Sequence, residues 1–313
     1  MFSALRASTF AEEMPLYYAI AGSAALVIAI MLALNGELTA VYGEYLTTFI
    51  IHAVGLVSVS AVSLVKRENP IKMAKGVPFA ILLGGVINYF TTFFNTLAVG
   101  KISVTAILAL SLLGQAVTSL VVDCFGLMGM PRRRLGVLEL CGLAVTAGGI
   151  VLLLGGTGSA PLLPVIVSIL SGTCCVCTRQ VTAQLSERTS LLTGTWFSYF
   201  TGLLVSVAAL GIAAALGVEI PFSAGFSPRA WIYLGGALGA VAVFLQSICV
   251  KHMSSVAMTL VMFAGQVFGG AAIDALFYEK FSTVTLTGGI LAFAGLVLNA
   301  LGARRAEKRS LAE

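Results

Sequence analysis

The chain has 313 residues, 58% of them hydrophobic and only 10% charged, with a mean hydropathy of +1.02. Soluble domains carry about 25% charged residues, so this composition excludes a soluble globular protein and points to an integral membrane one. The net charge of +5 is accounted for by membrane topology, as the placement of the basic residues shows, and calls for no nucleic-acid partner.

Residues 1–13 carry Arg6, Glu12 and Glu13 ahead of an apolar run too long for a signal-peptide core, so this segment is expected to be retained. Ten apolar runs follow, at about 14–34, 43–65, 77–97, 102–126, 135–154, 161–180, 191–217, 229–250, 253–277 and 283–302. Most reach the roughly 20 residues that a helix needs to cross about 30 Å of hydrocarbon. A transmembrane β-barrel would show shorter, alternating segments. The cuts fall at turn-forming or charged stretches: "KRENPIK" after the second run, "MPRRR" after the fourth, "GGTGSAP" after the fifth and "PFSAGFSPR" after the seventh.

If the N-terminus is cytoplasmic, all of the 18 basic residues except Lys101, Arg229 and Lys280 fall on the cytoplasmic side, Arg179 and Arg188 among them. The positive-inside rule therefore places both termini in the cytoplasm of a cell with the protein in its inner (plasma) membrane. The six cysteines lie in or beside apolar runs; "CCVC" at 174–177 has no histidine or acidic company, so neither disulfides nor a metal site is expected.

The chain repeats itself. Residues 84–123 align without a gap on 235–274 and match at nine of 40 positions, Gly84, Gly85, Phe93, Val99, Ser103, Ala106, Gly114, Gln115 and Asp123. Asn95 falls on Gln246, and a shift of 147 places "GLAVTAGGI" (142–150) on "GILAFAGLV" (289–297) and His52 on Tyr199. The expected fold is thus an all-α integral membrane protein of ten transmembrane helices in two five-helix halves, 1–157 and 158–313, the second ending in a short basic cytoplasmic tail. Five is odd, so the halves must enter the membrane in opposite senses. Inverted repeats place a substrate site near the midplane between the halves.

The candidate site residues are the polar groups of these runs. Asn88, Thr92 and Asn95 share one helical face, and Ser111, Gln115 and Ser119 another. Gln246 and Gln266 occupy the matching places in the second half. A central amide must find a partner in hydrocarbon; Gln115 and Gln266 can satisfy each other, line a wet cavity or bind a solute. His52 is either a protonation site or a neutral interhelical bond, while Trp196 and Tyr199 either stack on a ligand or pack. Asp123 and Asp274 lie eight residues past the glutamines, expected near opposite interfaces, as structural caps or as gate or coupling carboxylates. Glycines four apart, Gly235 with Gly239 and Gly265 with Gly269, read as close helix packing.

The stretch "GQAVTSLVVDCFGLMGMPRRRLGVLELCGLAVTAGGIVLLL" (114–154), with "NYFTTFFNTLAVGKISVTAILALSLL" before it, resembles the YdcZ-like branch of the drug/metabolite transporter superfamily. The second half carries a weaker copy, "GQVFGGAAIDALFYEK" (265–280). The resemblance implies alternating-access transport of a small molecule, commonly export, with helices five and ten at the periphery. Related small multidrug exporters carry an acidic residue within the first helix; here Glu12 and Glu13 stand only at its start. The expectation is a secondary transporter for a small polar or amphipathic metabolite, needing no cofactor or metal, embedded in lipid as a monomer or homodimer. A channel or interaction scaffold is the alternative. An enzyme is disfavoured, since no nucleophile–base set or phosphate loop appears and the two histidines are about 200 residues apart.

Overall fold

The computed structural model describes residues 2–126, 136–155, 161–250, 255–277 and 283–310. Arg132–Arg134, Lys251 and Lys280 lie outside them. The described residues are almost entirely helical, and eight helices are long and apolar enough to cross a membrane. Large apolar side chains such as Val57, Val151 and Ile212 are exposed along these helices, as expected where the surrounding solvent is lipid.

The first helix, α1 (Phe2–Val65), joins the two runs that the sequence separates at residues 35–42. Its apolar part, Pro15–Val65, is 51 residues long, about twice what a bilayer needs. The break is at Gly43, with φ 66° and ψ 175°, a backbone state open to glycine because it has no Cβ. A Cβ at Gly235 would lie 1.8 Å from Asn35 Oδ1, and one at Gly236 would lie 2.3 Å from the Ile51 carbonyl. Residues eight before and eight after Gly43 therefore reach neighbouring points of one helix, and α1 folds back on itself at the glycine.

After a short helix, α2 (Pro70–Met73), whose Asn69 cap accepts from Lys72 N at 3.0 Å, the third run is broken at Leu83 into α3 (Phe79–Leu82) and α4 (Gly84–Ala98). Helix α5 (Val104–Phe125) starts at the Ser103 cap and stops at Gly126 in the left-handed conformation. Helices α6 (Val137–Gly155), α7 (Leu162–Arg188) and α8 (Leu191–Ala215) follow. The eighth run opens as a 3₁₀ turn, Ala230–Leu234, before α9 (Gly235–Val250); α10 (Ser255–Phe277) and α11 (Thr283–Ser310) complete the chain. Helix α7 extends eight residues past the expected end at 180, which sets Arg179 more than two turns from the end of the helix.

Packing is organised by pairs of helices. Helix α7 lies against α4 and α5, and α1 lies against α9, α10 and α8. Ala106, Leu110, Ile150, Leu153, Phe263, Val267, Ala292 and Leu296 form one core between α5, α6, α10 and α11. Ala29, Leu32, Ala98, Ile107, Val167 and Ile273 form a second that joins both halves of the chain.

Helices α6 and α11 make the most extensive pair. A Cβ at Gly142 would lie 2.3 Å from Asn299 N, and one at Gly149 would lie 2.3 Å from Ala292 N. The mirrored contacts come from Gly288, at 2.4 Å from Leu153 N, and Gly295, at 2.3 Å from Thr146 N. These pairs are related by a shift of 146, one residue from the 147 of the sequence alignment, because contact geometry and not residue identity fixes the register here.

At the Gly43 end the basic residues are matched: Lys101 Nζ is 3.5 Å from Glu44 Oε1 and Arg229 is 3.7 Å from Glu37. Tyr42 and Tyr233 share a short hydrogen bond there, and Tyr42 donates to the Gly225 carbonyl at 2.7 Å. At the other end of α1 the side chains of Lys66, Arg67, Lys72 and Lys75 are exposed.

Substitution of Gly149 by leucine is expected to cost about 1–3 kcal/mol through overpacking, read as a lower melting temperature of the detergent-purified protein. Leucine at Gly148, whose Cβ would meet nothing within 4 Å, leaves the melting temperature unchanged.

Candidate functional site

The polar residues of the first half gather where α7 crosses α4 and α5. Small residues permit this: a Cβ at Gly172 would lie 1.9 Å from the Ser111 carbonyl and 2.9 Å from Gln115 N, and one at Gly114 would lie 2.1 Å from the Ile169 carbonyl. The α5 and α7 backbones touch, so side chains beside the glycines are brought within reach of each other. Thr118 donates to Thr173 at 3.0 Å across the same contact.

On the α4 side, Ser171 Oγ contacts Asn95 Oδ1 at 2.8 Å and the Thr91 carbonyl at 3.1 Å. Thr92 bonds back to the Asn88 carbonyl at 3.2 Å. The Asn88 amide is half-buried. It shares the face of Gly84, Thr91 and Asn95, all of which contact α7.

Gln115 does not meet Gln266. Its Oε1 accepts from Arg179 Nη2 at 2.7 Å, and the same nitrogen is 3.5 Å from Cys175 Sγ. Gln266 is buried at 6% exposure, on the face of α10 shared by Met262 and Gly270, which pack on Ala25 of α1 and Leu108 of α5. Gln246 is half-buried on α9, and Ser111 is half-buried beside Gly172.

His52, Tyr199 and Trp196 belong to a separate cluster between α1 and α8. His52 is fully buried, with Nδ1 2.8 Å from the Thr48 carbonyl, and its ring lies between Tyr89 and Tyr199, with centroids 6.3 and 6.1 Å away. Its Nε2 is buried without a partner among the described residues. Tyr199 donates to the Gly236 carbonyl at 3.2 Å. Trp196 donates to Ser60 Oγ at 2.9 Å and stacks on Phe200 with centroids 4.8 Å apart.

Asp274 is 3% exposed and accepts three hydrogen bonds at the start of α5: from Val104 N at 3.0 Å, Thr105 N at 2.9 Å and Thr105 Oγ1 at 2.5 Å. A carboxylate on unsatisfied N-terminal amides is favoured by both hydrogen bonding and the helix dipole. The side chain of Asp123 lies outside the described residues.

Sequence reading missed Arg179 and Ser171 as site residues. The usable signal for Arg179 was the lack of any proline or glycine between Gly172 and Gly194, which allows a helix to run on past the drop in hydropathy.

Residues 16–152 and 163–303 match a family described as "Putative inner membrane exporter, YdcZ", within the drug/metabolite transporters. The chain belongs to the YdcZ family. The match covers most of the chain in two successive segments, and with the apolar helices it makes this YdcZ-family chain a multi-pass inner-membrane protein of the transporter class. No curated protein matches it. Among solved structures, 15 chains are similar; one, described only as "Crystal structure of protein", is 17% identical, covers 92% of this chain and 98% of its own, and has a TM-score of 0.60. That likeness concerns the fold alone.

Exchange of Asp274 for asparagine removes the charge and one acceptor oxygen from the α5 start and is expected to cost about 1.5–3 kcal/mol of stability, measured as a fall in melting temperature. An unchanged melting temperature would contradict the capping role.

Proposed function

We propose that the chain is a secondary transporter that exports a small polar or amphipathic metabolite across the inner membrane by alternating access. The observation that carries this reading is the convergence of Gln115, Asn95, Ser111, Ser171 and Arg179 on one helix crossing inside the bundle. Polar groups placed inside a membrane bundle are expensive and mark substrate pathways.

The same reading counts ten crossings in two inverted halves, with both termini cytoplasmic. The fold-back of α1 at Gly43 supplies one more crossing than the count of long helices, and the 3₁₀ turn leading into α9 supplies another. The helix pairs are consistent with a two-fold axis in the membrane plane: α7 against α4 and α5 mirrors α1 against α9 and α10, while α6 and α11 pair with each other. The exposed lysines and arginine at residues 66–75, against the neutralised Lys101 and Arg229, support a cytoplasmic face at the former end. His52 with Tyr199, and Gln246 and Gln266, are the second half of the proposed pathway.

Flux of a metabolite library into proteoliposomes is expected to saturate with substrate concentration and to fall about tenfold or more in a Gln115→Ala/Gln266→Ala protein. Unsaturable conductance would favour a channel, and undiminished flux in the double variant would remove both amides from the pathway.

In a cysteine-free background, cysteines at positions 101 and 251 are expected to react with an impermeant thiol reagent from opposite sides of the membrane. Reaction from the same side would overturn the inverted arrangement.

A further inference from the structure

We infer that Arg179, with Gln115 and Asn88, forms an anion-recognising site, so that the solute handled by this protein carries a carboxylate. This rests on the transporter reading and adds the charge of the substrate to it.

Arg179 does not face lipid. On α7, Leu170 and Ile166 are exposed apolar residues and mark the lipid side. Arg179 is nine residues past Leu170, and at about 100° per residue it stands on the opposite side of the helix. It is seven residues past Gly172, on the side that touches the α5 backbone.

The guanidinium also points away from the nearer membrane surface. A snorkelling arginine extends its head towards the interface. Here Nη2 turns back one helical turn to Cys175 and across to Gln115, at the middle of the 22-residue helix α5. Of the five N–H donors of a guanidinium, those on Nη1 and Nε bond to no protein acceptor among the described residues, and no carboxylate pairs with this arginine there. The side chain is nevertheless exposed, on the side of α7 from which it reaches Gln115 of α5.

Asn88 completes the group. On antiparallel α4 and α7, Ser171 meets Thr91 and Asn95, and Gly84 meets Val181 and Thr182. Asn88 lies between those contacts on the same face, which sets it at the level of Arg179. Its amide, like the Nε2 group of Gln115, bonds to nothing among the described residues. Two amide donors beside a fork of unpaired guanidinium donors suit a planar carboxylate.

The repeat argues that this cation is for a ligand and not for the fold. A Cβ at Gly114 would lie 2.1 Å from the Ile169 carbonyl, and one at its counterpart Gly265 would lie 2.5 Å from Ala25 Cβ and 3.4 Å from the Gly22 carbonyl; the two carbonyls are 147 residues apart, the shift that the sequence alignment also gives for His52 and Tyr199. That shift places Leu32 of α1 where α7 has Arg179, and Leu32 is buried at 2% exposure in the apolar core. The equivalent helix crossing thus forms without a charge, so packing does not require one.

The test compares benzoate, salicylate, butyrate and lactate with their neutral amides, using thermal stabilisation of the protein in nanodiscs and flux in proteoliposomes. At least one acid is expected to stabilise and move through the native protein in preference to its amide. R179Q should weaken that acid by about tenfold or more, the worth of a charge-assisted hydrogen bond. R179K, which keeps the charge and serves if R179Q does not fold, should retain part of the preference, and N88A should reduce it. Equal acid response in native protein and R179Q, or no acid of the panel acting, would overturn the inference. Saturable flux of neutral amides alone would leave the transporter reading intact while ending this one; acid binding without flux would do the reverse.

Discussion

A polar group inside hydrocarbon must be paired, and this one constraint orders the molecule. Backbone groups meet it by forming helices throughout. Asp274 meets it by closing three donors at the start of α5, and in doing so ties the second half of the chain to the first. At the Gly43 end, exposed Lys101 pairs with Glu44 and exposed Arg229 with Glu37. The partly unpaired polar groups that remain stand out against this background. Among the described residues they lie along α1, at Asn35, Thr47, His52 and Ser63, and at the crossing of α7 with α4 and α5, where a guanidinium adds charge.

Glycine makes that crossing possible. Gly114 and Gly172 bring two backbones into contact, and long side chains one or two turns away are forced into a shared space. The same device joins α6 to α11 through Gly142, Gly149, Gly288 and Gly295, where Glu139, Thr146 and Asn299 are hydrogen-bonded. Packing with small residues is therefore common to both places; the cation and amides distinguish the one we assign to function.

Much of this was legible in the sequence. Hydropathy alone located the apolar runs, and the gapless repeat around Gln115 and Gln266 aligned α4 and α5 with α9 and α10. The failures have physical causes. Residues 35–42 are polar enough to look like a loop, and Gly36 lies among them, but the helix runs on through Gly36 and breaks at Gly43, where φ is positive. Arg179 looked like a cytoplasmic charge because hydropathy weighs a residue without regard to the face it occupies. Asp274 was expected near an interface as a structural cap or a gate carboxylate; its partners are N–H and O–H donors at the start of α5, about 170 residues away, and a sequence does not display such donors. The two glutamines repeat in sequence but not in environment: one faces a guanidinium, and the other lies on a face bordered by apolar packing against α1 and α5.

The central claim is that water or solute reaches the face of α7 turned towards α5, while the opposite face meets lipid. Single cysteines in place of Asn88, Ser111 and Leu170 in a cysteine-free protein, treated in membranes with a charged, impermeant thiol reagent, measure this directly. The account predicts labelling at 88 and 111 and none at 170. Labelling at 170 with protection at both 88 and 111 would contradict it.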